Sequence, residues 1–162
     1  MIAFPVLGIP APQGSKSAVV RGGRAVLIEG ASTVGREKHR AWRDAVGWEA
    51  RAAVLEQGQV DDDTPVAVTV FFFLPKPKSR PKKAVWADRK PDLDKLVRST
   101  LDGLADGGLL RHDSRVVSLH AAKAYAEAAS GAIVCITDDV HSHANPRIHP
   151  DLYAPFRRTA HA

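Results

Sequence analysis

A chain of 162 residues can bury one sizeable core, and no break in composition divides it into two comparable halves. Hydrophobic residues at 44% and charged residues at 25% are ordinary for a globular protein, which excludes a fibrous or wholly disordered chain. The 23 Lys and Arg against 18 Asp and Glu leave a net charge of +5, a balance that favours anionic partners such as nucleic acid.

The first expected element is a strand over Ile2–Ile9, where Pro5 marks either an edge strand or the strand's beginning. The stretch Met1–Pro12 is apolar, but it lacks a basic region and is broken by Pro5, Pro10 and Pro12, so it is not read as a signal peptide. A loop with Pro10, Pro12, Gln13, Gly14, Ser15 and Lys16 follows. Its small residues suit backbone approach to a phosphate with Lys16 adding charge, and a simple surface loop is an equal reading. Ala18–Val20 and Ala25–Ile28 flank Arg21-Gly22-Gly23-Arg24, the signal of a hairpin.

From Thr33 to Gln57, Trp42, Ala45, Val46, Ala50, Ala53 and Val54 mark one face of a long helix. Arg36, Lys38, Arg40, Arg43 and Arg51 occupy the remainder, as a solvated face would. Gly58 ends this helix, and Asp61–Thr64 form an acidic turn. Pro65–Leu74 reads as a central buried strand, because Phe71, Phe72 and Phe73 leave no polar face; the run is far too short to span a membrane. Pro75–Lys83 then carries five cations among three prolines, an extended basic loop. Lys76, Lys78 and Arg80 are candidate phosphate contacts and Trp86 is available to stack on a base, against the plain alternative of a solvated linker.

The loop leads into Lys90-Pro91-Asp92-Leu93-Asp94-Lys95-Leu96-Val97-Arg98. Pro91 suits a first helical turn, and Leu93, Leu96, Val97, Leu101 and Leu104 recur at helical spacing. Residues two apart on a helix point to nearly opposite sides, so Asp92 and Asp94 converge only if Asp92 is still non-helical. Asp94, Arg98 and Asp102 share one face. Taken alone, these aspartates read better as helix caps or partners of the helix dipole than as catalytic groups.

A turn at Asp106-Gly107-Gly108 is followed by a strand over Arg115–Ala126. A last strand, Gly131–Thr137, is expected to pair with it through the loop at Ala128–Ser130, with Cys135 as a small apolar residue. Cys135 is the single cysteine, so no intramolecular disulfide or cysteine-rich metal site exists, and a reducing cytoplasm fits. Residues 139–162 lose apolar periodicity and are expected to form a poorly ordered tail behind a domain of residues 1–138. His141, His143, His149 and His161 match no rigid ligand spacing.

Pro91-Asp92-Leu93-Asp94 with Leu96, Leu101-Asp102-Gly103-Leu104 and Asp113-Ser114-Arg115-Val116 together resemble the RusA family of Holliday junction resolvases of phages and prophages. The resemblance implies an α+β fold, a single domain with a small mixed sheet packed with two main helices. It implies a magnesium site, with Mn²⁺ as a possible substitute, on Asp92, Asp94 and Asp113, and a basic residue one turn after the second aspartate, here Arg98. It also implies a homodimer acting on branched DNA, above all four-way junctions. Lys95 stands where the family typically has Asn, Arg98 where it usually has Lys, and His112 where an Asp often precedes Asp113. Arginine keeps the charge but is a poor proton donor.

The residue types agree with that chemistry. Mg²⁺ prefers carboxylate oxygens, and a cation beside them stabilises charge developing on a phosphate. Lys16, Lys76, Lys78, Arg80, Lys95 and Lys123 are the candidate DNA contacts. Three close carboxylates repel one another, which raises at least one pKa and makes activity rise with pH and magnesium. The competing expectation is a non-catalytic basic DNA-binding protein whose acidic cluster is structural.

Overall fold

A computed structural model describes residues 1–14, 16–29, 32–61, 63–140 and 149–157, with only the backbone described at 16–21 and 25–29. The chain order is β1 (Ile2–Leu7), β2 (Lys16–Arg21), β3 (Arg24–Glu29), α1 (Thr33–Gln57), β4 (Val66–Leu74), α2 (Leu93–Asp106), β5 (Val116–Tyr125) and β6 (Gly131–Thr137). Four strands form one mixed sheet in the order β1-β6-β4-β5, and β2 and β3 form a separate hairpin. The architecture is α+β, as expected.

Local chemistry accounts for most of these elements. The β2–β3 turn is Gly22-Gly23, both at positive φ (57° and 76°), the conformation a two-residue hairpin needs. Ser32 caps α1 by accepting the Gly35 N–H at 3.2 Å. Pro5 sits in β1, an edge strand, where its missing N–H leaves no ladder bond unmade inside the sheet. β4 takes the interior, antiparallel to β6 and parallel to β5. Parallel neighbours need a crossover connection, and α2 supplies it.

The expected pairing of the last two strands is therefore corrected. β5 lies against β4, and β6 inserts between β4 and β1. All seven residues of β6 are buried, so it needs a strand on each side, whereas β5 carries exposed Val117 and Leu119 and tolerates the edge. A tight Ala128–Ser130 link does not dictate that consecutive strands pair.

One sheet face packs against both helices through Ile2, Phe4, Val6, Val68, Val70, Phe72, Val134 and Ile136. Trp42 of α1 is 1% exposed, tilts on Phe72 with ring centroids 6.4 Å apart, and donates its indole N–H to Thr100 Oγ1 of α2 at 3.2 Å. The helices approach closely at glycines: a Cβ on Gly103 would lie 2.7 Å from the Val46 Cβ, and one on Gly107 2.6 Å from the Gly47 carbonyl.

On the other face Phe71 and Phe73 are covered by a 3-10 turn at Pro150–Phe156, where Phe156 stacks on Phe73 at 4.5 Å and Tyr153 tilts on Phe71. Residues 149–157 thus depart from the loose tail that their composition suggests, because two aromatic residues suffice to cover half-buried phenylalanines. His149 accepts the Asp151 N–H as the cap of this turn, and His141, His143 and His161 lie outside the described residues. Cys135 is 1% exposed, and burial pushes its thiol pKa up.

Candidate active site

α2 and β5 face each other across a cleft of about 770 Å³. Leu93, Asp94, Val97, Arg98, Leu101 and Asp102 of α2 line one wall; Asp113, Leu119 and Ala121 line the other. Asp94, Arg98 and Asp102 reach it together because residues four apart share a helix face. Asp113 reaches it from the 3-10 turn Asp113–Arg115, which directly precedes β5. Arg115 pins that turn by donating to the Thr64 carbonyl at 2.8 Å and 3.1 Å and to the Asp61 carbonyl at the entrance of β4. Asp113 lies nineteen residues beyond Asp94, and helix, turn and return to the sheet bring them to one cleft.

Asp92 meets the condition that the sequence set for it. Its φ of −69° and ψ of 138° are extended, and it stands at the N-cap of α2 with no side-chain cap hydrogen bond. Pro91 accordingly lies before the helix, not in its first turn. The Asp92 carboxylate is 3.1 Å from Lys95 Nζ and is absent from the cleft lining. Mutual repulsion of carboxylates does not govern Asp92: the hydrogen-bonded ammonium of Lys95, with Lys90 and Lys123 nearby, holds its carboxyl below the usual range. The side chains of Asp94 and Asp113 form no hydrogen bond or ion pair among the described residues.

Mg²⁺ is often held by one or two carboxylates, several waters and a substrate phosphate. Asp94 and Asp113, two hard oxygen donors opening onto one cleft, fit such an ion. Among the described residues, no group of three His, Cys, Asp or Glu is placed to hold a metal. Of the three aspartates implied by the resemblance, two therefore open onto the cleft, and the third is paired to Lys95.

Two site residues had weaker signals. Asp102 carries a sequence signal as the third member of the helical face and within Leu101-Asp102-Gly103-Leu104, but no assigned role, and Gln13 carries one only as part of a loop. Gln13 Nε2 donates to Asp102 at 3.2 Å and its N–H to the Lys95 carbonyl at 3.1 Å, docking the Pro10–Gly14 loop on α2. Arg43 of α1 lies 3.5 Å from Asp102 and binds Asp106 through two nitrogens, which holds the Asp106 carboxyl below its ordinary range.

The candidate DNA contacts divide into two groups. Lys76 Nζ donates to the Ala84 carbonyl at 2.7 Å and to that of Lys82, and Arg80 pairs with Asp88; both cations also lie within 6 Å of the Tyr125 ring, at 5.8 Å and 5.9 Å. They give the proline-rich loop its shape. Lys123 Nζ donates to the carbonyls of Arg89 at 2.7 Å and Pro91 at 2.6 Å, bracing the chain immediately before Asp92. Lys78, Lys82 and Lys83 are exposed, and the side chain of Lys16 lies outside the described residues.

Among the described residues no helix is long and apolar enough to cross a membrane. No curated protein matches the chain. The profile of Endodeoxyribonuclease RusA matches residues 10–137, which span the cleft, both of its walls and the whole sheet except β1. The chain belongs to the RusA endodeoxyribonuclease family, whose activity is the resolution of Holliday junctions.

Proposed function

We propose that this chain cuts four-way DNA junctions by magnesium-dependent phosphodiester hydrolysis, acting as a homodimer. The observation that carries this reading is the opening of Asp94, Arg98 and Asp113 onto one cleft. In the reaction, a water oxygen forms a bond to phosphorus, the bond from phosphorus to the 3′ oxygen breaks, and that oxygen takes up a proton. Asp94 and Asp113 would hold the ion, and Asp92 would join them only by giving up its pairing with Lys95. Bound Mg²⁺, or Mn²⁺ in its place, supplies a water of lowered pKa and polarises the phosphate.

Arg98 lies one turn from Asp94 and would stabilise the negative charge that grows on the phosphate oxygens. Its guanidinium stays charged, so Arg98 does not supply the proton that the leaving oxygen takes up. Leu93, Val97, Leu101 and Leu119 supply the apolar part of the cleft walls. Two symmetric cuts require two equivalent sites, and a twofold dimer provides them.

The deciding experiment is incubation of the purified protein with a synthetic four-way junction, with and without Mg²⁺. Paired nicks that appear only with the ion are expected. Tight junction binding with no nicking in Mg²⁺ or Mn²⁺ would instead favour the non-catalytic DNA-binding reading.

Because Lys76 and Arg80 are engaged within their loop, phosphate contact falls to Lys78, Lys82 and Lys83. Replacing those three with Gln is expected to flatten the dependence of log affinity on log salt by about 0.9 for each phosphate that is no longer neutralised. Filter binding between low and moderate salt measures the slope, and an unchanged slope would make these lysines mere solvated charge.

A further inference from the structure

α1 buries Trp42, Val46, Ala50 and Ala53 and turns its opposite face outward. On that outer side Val34, Ala41, Trp48 and Leu55 recur every seven residues, and Lys38, Ala45 and Ala52 repeat the same interval four residues later. At about 100° per residue the two rows make one stripe along the helix. Trp48 is 71% exposed, Leu55 83% and Val34 58%, so these side chains serve no core of their own chain. A scattered exposed apolar residue means little, but a seven-residue repeat along most of a 25-residue helix is the seam with which one helix packs on another.

The stripe is complementary to a second copy of itself. In an antiparallel pairing about a twofold axis, with Ala45 facing the partner's Trp48, a large side chain lies over a small one on both sides of the axis. That register sets Ala41 against the partner's Ala52 and lays Leu55 along the aliphatic stem of the partner's Lys38. It also brings Arg51 beside the partner's Asp44. Within one chain the Arg51 guanidinium lies 5.6 Å from the Trp48 ring centroid and donates to the Asp106 carbonyl at 3.3 Å, while Asp44 meets Arg40 at 3.8 Å in a long, exposed pair. Neither charge is tightly committed. Nucleic acid fits this face less well, because exposed Glu37, Asp44 and Glu49 stand among its cations and repel phosphate.

We infer that the outer face of α1 is the seam of the homodimer, joining two copies of this chain as an antiparallel helix pair. The inference rests on the proposed function, which needs two equivalent cutting sites, and it names the surface that joins them. No residue of the stripe lines the α2–β5 cleft, so the seam and the cutting sites use different side chains.

Sedimentation equilibrium of the full chain, with folding checked by circular dichroism, tests the seam. The parent should sediment at twice the 17.5 kDa of one chain. Trp48→Glu should raise the dimer dissociation constant at least about a hundredfold, because each dimer loses two indoles, and Arg51→Glu should raise it about tenfold. Combining Arg51→Glu with Asp44→Arg exchanges the two charges and should recover the dimer, a rescue that general damage to α1 would not allow. A parent dimer that neither single substitution weakens would overturn the seam and leave the homodimer standing. An exchange that fails to recover the dimer would overturn the antiparallel pairing. A monomeric parent would overturn both the seam and the homodimer, and magnesium-dependent nicking of a four-way junction by that monomer would still leave the nuclease reading in place. Weaker junction binding by Trp48→Glu at an unchanged mass would assign the face to DNA and overturn the inference.

Discussion

Asp94→Asn is expected to cut a four-way junction at least about a hundredfold more slowly than the parent while binding it with similar affinity. The substitution keeps the shape of the side chain and removes its charge. The Asp94 carboxylate is exposed and has no hydrogen bond or ion pair among the described residues, so its loss breaks no packing contact. A catalytic metal contributes several kcal/mol of charge stabilisation. With each tenfold in rate equal to about 1.4 kcal/mol, a weakened metal site costs two orders of magnitude or more. Asp113→Asn should behave alike, since it faces the same cleft from a turn held by Arg115.

Asp102→Asn provides the contrast. Its carboxylate is already engaged by Gln13 and Arg43, so the substitution should disturb how the loop docks on α2 more than it disturbs the proposed metal site. Single-turnover cleavage and junction binding, measured side by side over a range of Mg²⁺, separate these cases. Normal cutting by Asp94→Asn with normal binding would remove Asp94 from the metal site.

The largest expected loss of stability is at Trp42. Trp42→Ala is expected to destabilise the fold by about 3–5 kcal/mol, the usual range for emptying a large buried aromatic site. Few neighbours can collapse into the space, because the helices already meet at Gly47, Gly103 and Gly107. The change also takes from Thr100 the indole donor that its hydroxyl accepts at 3.2 Å, while that hydroxyl's own bond to the Leu96 carbonyl at 2.9 Å remains. Domains of this kind hold about 5–15 kcal/mol in total, and each kcal/mol is worth about 2–4 °C at this chain length, so the melting temperature should fall by about 10 °C. Thermal unfolding followed by circular dichroism reads this directly; a fall of only a degree or two would mean that α1 does not depend on Trp42 for its seat. Because Trp42 joins α1 to α2, junction cleavage should become temperature-sensitive in the same range.

Much of the fold was legible from local pattern. The Gly22-Gly23 hairpin, the α1 boundaries, the edge position of β1 and the buried β4 each follow from chemistry within a few residues: positive φ at glycine, a serine cap, a missing proline N–H, and three consecutive phenylalanines. The same holds for the start of α2. Asp92 had to be extended if it was to lie near Asp94, and it is.

What the sequence left open was long-range. The pairing of β5 depends on which strand most needs burial on both sides, and β6, all of whose residues are buried, outcompetes it for a place beside both β1 and β4. The fate of each cation was equally invisible, because a lysine reads the same whether it meets a phosphate or a carbonyl. Lys76 and Lys123 direct their ammonium groups to backbone carbonyls eight and thirty-two or more residues away, and Lys95 directs its own to Asp92.

By itself the sequence determined the elements, the family resemblance and the aspartates to watch, since hydrophobic period, glycine and proline punctuation, and motif order are all local properties of the chain. Only the tertiary structure decided that Asp94 and Asp113 open onto one cleft while Asp92 is paired with Lys95. Those outcomes are set by which distant groups compete successfully for each charge and each buried surface, and that competition is settled only when the whole chain has packed.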